Sequence, residues 1–188
     1  MSLRVETTSV PGVLLFSPDV FGDSRGFFMQ TFHANIYAEA GIGRPFVQDN
    51  LSRSCRNAVR GLHYQLRNPQ AKLVSCLRGA VLDVAVDLRR NSPSFGQCVV
   101  AELSEDNRRQ LFIPEGFAHG FRVLSDVADF FYKCTDFYAP GDEYGVLWND
   151  PDLAVPWGDV DSPVVSQKDL KLPRLANLPA EHLPAFGP

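Results

Sequence analysis

An all-β fold, a jelly roll or a related double-sheet barrel, is the architecture this chain predicts, on three observations. Fourteen glycines and fourteen prolines cut 188 residues into short segments, the punctuation expected of many brief strands. The run 82–88 alternates strictly, with Leu82, Val84, Val86 and Leu88 on one face and Asp83, Ala85 and Asp87 on the other, the period of a strand covered on one side. A single stretch has helical character, about 33–40, stopped by Gly41.

The elements follow in order. The run Val59-Arg60-Gly61-Leu62-His63-Tyr64-Gln65 and the segment from Lys72 read as a short β-patterned hairpin. Residues 73–77 form the next strand, and Arg78-Gly79 a tight turn into 82–88. Further strands are expected at 97–103, 110–113, 118–124 and 128–138, with turns at Ser104-Glu105-Asp106-Asn107 and Pro114-Glu115-Gly116. From Pro151 the chain is Pro-rich and irregular, with a short helical turn near Ser166. No repeat or low-complexity linker divides it. The expectation is one domain over 1–188, with an N-terminal arm and an irregular C-terminal segment.

Composition narrows the function. Apolar residues make up 45% and charged residues 21%, ordinary for a globular domain with a real core. The net charge of −4 offers no broad basic field, so neither nucleic acid nor a membrane surface is an expected partner. An anion must be caught by a local cluster, for which Arg25, Arg60 and Lys72 are candidates. Cys55, Cys76, Cys98 and Cys134 are widely spaced, without a CxxC pair, and read as reduced structural thiols. Residues 1–10 are polar and carry Glu6, unlike a secretory leader, so the cytoplasm is the expected compartment. Short strands leave open sheet edges, which points to a homodimer.

His63 is the natural candidate base, since an imidazole titrates near neutrality. Strand alternation sets it with Gly61 and Gln65, away from Leu62 and Tyr64. A base of this kind needs a carboxylate to orient it, and Asp83, Asp87 and Asp169 are the candidates. Lys72 and Arg60 are either plain surface charges or the flanks of a bound anion or developing oxyanion. Tyr132, on the face of Phe130 and Cys134, is either packed with a satisfied hydroxyl or a proton donor. His119 is a ligand contact or a packed ring. The four histidines (His33, His63, His119 and His182) are scattered and form no HxH pair, so a metal site is not expected.

Taken together, several motifs resemble the dTDP-4-keto-6-deoxyglucose 3,5-epimerase family of deoxysugar biosynthesis. They are Phe21-Gly22-Asp23-Ser24-Arg25-Gly26-Phe27-Phe28, Phe46-Val47-Gln48-Asp49-Asn50, Arg60-Gly61-Leu62-His63-Tyr64-Gln65, Asp83-Val84-Ala85-Val86-Asp87, Ile113-Pro114-Glu115-Gly116-Phe117-Ala118-His119-Gly120-Phe121, Tyr132-Lys133, Trp148-Asn149-Asp150-Pro151 and Ser166-Gln167-Lys168-Asp169. The resemblance runs from about residue 13 to 173. It implies a cupin-like jelly-roll dimer that acts on a dTDP-linked sugar without metal or organic cofactor. It assigns His63 as base, Asp169 as its partner, Tyr132 as acid and Lys72 as the charge on the enolate. It implies substrate contacts from Arg25, Gln30, Gln48, Asn50, Arg60, His119, Glu143 and Lys168, with Arg25 reaching a neighbouring subunit. Gln30 departs from the glutamate usual there: it keeps an acceptor and loses a charge.

Carbons 3 and 5 of such a sugar flank its 4-keto group, so loss of either proton gives an enolate. Removal from one face and return to the other inverts the centre without redox chemistry, and the chain has no GxGxxG fingerprint. Three alternatives stand beside this: an epimerase of a single centre, a ketoisomerase of the same fold, and a catalytically silent sugar-nucleotide binder.

Overall fold

The computed structural model describes residues 2–187. In chain order its strands are β1 (Leu3–Thr7), β2 (Leu14–Pro18), β3 (Val20–Asp23), β4 (Gly26–Met29), β5 (Gln48–Cys55), β6 (Ala58–Gln65), β7 (Lys72–Arg78), β8 (Ala80–Asp87), β9 (Cys98–Ser104), β10 (Gln110–Ile113), β11 (Phe117–Val123), β12 (Val127–Cys134), β13 (Glu143–Gly145) and β14 (Val164–Val165). A short helix, α1 (Ala34–Glu39), lies between β4 and β5. One sheet has the order β1-β2-β10-β7-β12-β5 and the second β13-β6-β11-β8-β9, with β14 parallel to β6. Apart from β1–β2 and β8–β9, strands that are neighbours in either of these sheets are not consecutive in sequence, as in a double-sheet jelly roll.

Alternation explains the layers. Val74, Cys76, Val81, Ala85, Phe121 and Phe130 point between the sheets and form the central core. The opposite residues of β6 and β8 (Leu62, Tyr64, Val84, Val86) would face water, but the irregular segment after β13 covers them with Leu153, Trp157, Leu175 and Leu183. The outer face of the first sheet is partly covered by α1 and its flanks, through Tyr37, Ile42, Phe16 and Phe112. Most of both faces of the second sheet is therefore buried, which makes it a rigid platform.

The structure corrects three expectations. His63 and Lys72 do not share a hairpin, because β6 lies in the second sheet and β7 in the first. Residues 66–71 cross between the sheets, held where the Asp142 carboxylate accepts the Arg67 and Asn68 backbone N–H groups at 3.0 and 2.7 Å. The Arg78-Gly79 turn likewise carries the chain between sheets. Gly79 has φ +73°, and a Cβ there would lie 2.1 Å from the Val127 carbonyl oxygen. Finally, the strand expected at 128–138 ends at Cys134. Thr135 turns back to bond Ala71 with both its N–H and its hydroxyl, and the Tyr138 N–H goes to the Gln48 side chain.

The N-terminal arm is subdivided. β1 and β2 join the first sheet, while β3 and β4 pair only with each other. That hairpin leaves Phe21, Phe27 and Phe28 more than half exposed.

Candidate active site

A cleft of about 570 Å³ opens between the sheets, lined by His63, Arg60, Ser54, Lys72, His119, Tyr132 and Asp169 among others. An adjoining hollow of about 310 Å³ shares His63, Lys72 and Tyr132 and adds Gln48, Asn50, Tyr138 and Glu143. His63 comes from β6, Lys72 from β7 and Tyr132 from β12, so the imidazole stands on one sheet and the ammonium and phenol on the other.

Local backbone geometry aims Arg60 and His63 together. In an uninterrupted strand they would point to opposite faces. The register between β11 and β6 shifts by one, from His119↔His63 to Phe121↔Arg60, a bulge at Gly61. Gly61 has φ +108°, and a Cβ there would sit 2.6 Å from the His119 carbonyl oxygen. A bulge re-aims a side chain in this way, and both residues line the cleft. Arg60 is braced by its Nε donating to Ser54 Oγ at 2.9 Å.

His63 Nε2 lies 2.8 Å from Asp169 Oδ1. Of the three carboxylates considered for that partnership, Asp169 is the one that meets it. Asp169 sits at the start of a 3-10 turn, Asp169–Lys171, whose first N–H donates to Ser166 Oγ at 3.0 Å. Its other oxygen accepts the Gly61 N–H at 3.2 Å. Burial pushes this carboxyl's pKa up, but His63 and those donors outweigh it and hold the group below the usual range. The opposite ring nitrogen, Nδ1, lies 3.8 Å from Glu143 Oε1. Glu143 in turn accepts from Lys168 Nζ at 2.5 Å and from the Tyr138 hydroxyl at 3.1 Å.

A second pair lies deeper. His119 Nε2 is 2.9 Å from Asp83 Oδ2, and the ring stacks on Phe130 at 5.8 Å. Burial lowers the His119 pKa against the pull of Asp83. Lys72 is similarly pushed down by burial, with Cys134, Asp83 and Glu143 opposing. Tyr132 is pushed up by burial, which keeps its proton in place at neutral pH. Asp87, the third carboxylate, serves a loop instead. It accepts from Arg89 and from Ser92 and Ser94 Oγ at 2.6 and 2.7 Å.

The chemistry available is therefore a carboxylate-oriented imidazole facing a neutral phenol, with a cation beside them. Such a set removes a proton next to a carbonyl and returns one from the other side. Among the described residues no group of three or more His, Cys, Asp or Glu side chains is placed to hold a metal ion.

The family model for dTDP-4-dehydrorhamnose 3,5-epimerase matches residues 7–177. The chain belongs to that family. The dTDP-4-dehydrorhamnose 3,5-epimerase of Pseudomonas aeruginosa is 53% identical over 169 residues, 89% of this chain and 93% of the relative. The dTDP-4-dehydrorhamnose 3-epimerase of Streptomyces niveus is 41% identical over 170 residues, 89% of this chain and 81% of the relative. Among solved structures, the dTDP-6-deoxy-D-glucose-3,5-epimerase of Legionella pneumophila in complex with dTDP-4-keto-L-rhamnose superposes with a TM-score of 0.97. It has 47% identity and full coverage of both chains.

For this epimerase-family member, ten of the twelve residues singled out from sequence line the cleft and its hollow. Arg25 and Gln30 do not. Arg25 projects from the β3–β4 hairpin and, among the described residues, pairs only with Asp23. Gln30 lines a small separate depression with Ser2 and Tyr37. Sequence reasoning missed Ser54, which carries no distinctive pattern, and gave no site role to Ser166 or Cys134, although it named the first in a motif and the second as a structural thiol. Asp83 partners His119 rather than His63: alternation sets it opposite the apolar face of Val84 and Val86, and it is the fold that turns this opposite face, with Ala85, between the sheets.

Proposed function

We propose that this chain converts dTDP-4-keto-6-deoxyglucose to dTDP-4-keto-L-rhamnose by inverting carbons 3 and 5. His63, oriented by Asp169, takes the proton, Lys72 stabilises the enolate, and Tyr132 returns a proton to the other face. The observation that carries this reading is the opposition of His63 and Tyr132 on facing sheets across one cleft. Inversion needs a base and an acid on opposite faces of the sugar ring, and two sheets supply opposite faces. Arg60, His119, Gln48, Asn50, Glu143 and Lys168 grip the substrate, without metal or cofactor.

The working unit is a homodimer in the cytoplasm. Support for the dimer comes from the β3–β4 hairpin, whose phenylalanines are more than half exposed and whose Arg25 lines neither the cleft nor its hollow. A partner subunit would bury the aromatic side chains and receive Arg25 and Gln30. No helix among the described residues is long and apolar enough to cross a membrane.

Incubation with the 4-keto sugar in D₂O, read by NMR, tests the reaction. Deuterium and inversion at both carbons is the expected result. Labelling at carbon 3 alone would assign a single-centre activity, that named for the Streptomyces niveus relative. No labelling would reject epimerisation. Tyr132→Phe is expected to cut inversion by about 10²-fold or more while deuterium still enters. Equal loss of both would remove the phenol as a separate acid.

A further inference from the structure

The motif Trp148-Asn149-Asp150-Pro151 lies outside the cleft, and nothing in the chemistry above uses it. Asp150 is nonetheless a carboxylate with 2% exposure, and its oxygens are committed. Oδ1 accepts the N–H groups of Asp152 and Leu153 at 2.8 and 3.1 Å, closing its own turn. Oδ2 accepts the Leu175 N–H at 2.7 Å. Leu175 is on the C-terminal strap, six residues beyond Asp169. One further tie, the Leu147 N–H to the Pro173 carbonyl at 2.9 Å, parallels it.

The other side of this segment is bound to the strand of His63. Gly145 pairs with His63 across β13 and β6, and Val146 and Leu62 exchange both backbone hydrogen bonds, at 3.0 and 3.3 Å. Residues 145–150 thus grip β6 with one end and the strap with the other. His63 rides on the first and Asp169 on the second, and their 2.8 Å contact closes the circuit.

We propose that Asp150 is a positioning residue, which through the Leu175 N–H sets where Asp169 stands against His63. The inference rests on the reading of His63 and Asp169 as the catalytic pair. A buried carboxylate taking three backbone donors is a stiff anchor, and displacement of a catalytic group by an ångström from a remote change costs on the order of a hundredfold in rate.

The test is deuterium uptake into dTDP-4-keto-6-deoxyglucose, with kcat and KM measured for Asp150→Asn, Leu175→Pro, Leu175→Ala, Asp169→Asn and the Asp150→Asn, Asp169→Asn double variant. Asp150→Asn is expected to lower kcat on the order of tenfold to a hundredfold with KM unchanged, and to add nothing in the Asp169→Asn background. Leu175→Pro deletes the donor together with the leucine side chain, whereas Leu175→Ala deletes the side chain alone, so their difference isolates the donor. Proline suits the first position of a helical turn, and the preceding Arg174 (φ −71°, ψ 156°) is already extended. It should match Asp150→Asn, while Leu175→Ala, which keeps the N–H, stays closer to wild type. Because Asp150 is intact in the Leu175 pair, that comparison decides the matter even if Asp150→Asn fails to fold. Full additivity with Asp169→Asn, a loss expressed in KM, or a proline variant no slower than the alanine one overturns the proposal. An Asp169→Asn enzyme with wild-type exchange would sink the catalytic-pair reading itself, and is read from that single variant.

Discussion

The molecule holds two histidine–carboxylate pairs of nearly the same length, 2.8 Å for His63–Asp169 and 2.9 Å for His119–Asp83, in very different settings. The His63 side chain is 27% exposed at the mouth of the cleft, whereas His119 is 9% exposed and Asp83 wholly buried. The outer ring has room to accept and release a proton. Burial pushes the inner ring towards its neutral form and clamps it on Phe130, a short way from Lys72. Under the mechanism proposed above, the same pair of groups acts as a proton carrier where water reaches it and as a fixed dipole where water does not.

The largest expected effect separates the pairs directly. His63→Asn should slow deuterium uptake from D₂O by about 10³-fold or more, since it removes the base. His119→Asn should leave exchange measurable, slowed by no more than about 10²-fold, as for loss of one polar contact to developing charge. Equal losses would erase the distinction between carrier and dipole.

A smaller effect concerns the charge near the inner pair. Burial disfavours the Lys72 ammonium, so its folded pKa lies below the ordinary lysine value, with Asp83, Glu143 and Cys134 opposing that shift. Activity that needs this cation should therefore decline on the alkaline side below the usual lysine range. Tyr132 is shifted upward, so it loses its proton later and does not set that limb. Removing a negative neighbour with Asp83→Asn should move the limb to lower pH in a profile of kcat/KM. Movement to higher pH, or none, would show that Asp83 does not support Lys72.

The smallest effect on chemistry comes from the third carboxylate, Asp87, whose pKa burial raises but whose Arg89 and serine partners bring down to about 2. A depressed folded value contributes stability above the unfolded pKa near 3.8 and loses it as pH falls towards 2. Asp87→Asn should cost about 2 kcal/mol in urea unfolding at neutral pH and nothing near pH 2, with turnover unchanged. A penalty independent of pH would show that packing, not charge, does the stabilising.

The alternation of residues 82–88 and the turn residues made the jelly roll legible, because a period of two with one apolar face has few other readings. β5 was not legible. Its sequence Gln-Asp-Asn-Leu-Ser-Arg-Ser-Cys sits at a sheet edge and faces the cleft, so it lacks the apolar stripe that marks a strand. The His63–Lys72 hairpin was misjudged for a related reason: alternation tells which face a residue occupies but not which sheet its strand joins. In the site, residue chemistry points to His63 but leaves Lys72 and Tyr132 open, and it does not choose among Asp83, Asp87 and Asp169; the family resemblance makes those assignments. Arg60 was the subtler case. Regular alternation separates it from His63, and only the irregularity at Gly61 reunites them.

That irregularity has a genetic reading. β6 carries one residue more than β11 between Arg60 and His63, so the strand's working form already contains what amounts to a one-codon insertion. Deleting a codon there would restore an even ladder and turn the imidazole out among Leu153 and Trp157 while leaving most of the apolar pattern readable. The length of this strand is thus as much a part of the site as its side chains: a frame-preserving deletion of three nucleotides would part His63 from Arg60 without changing either residue.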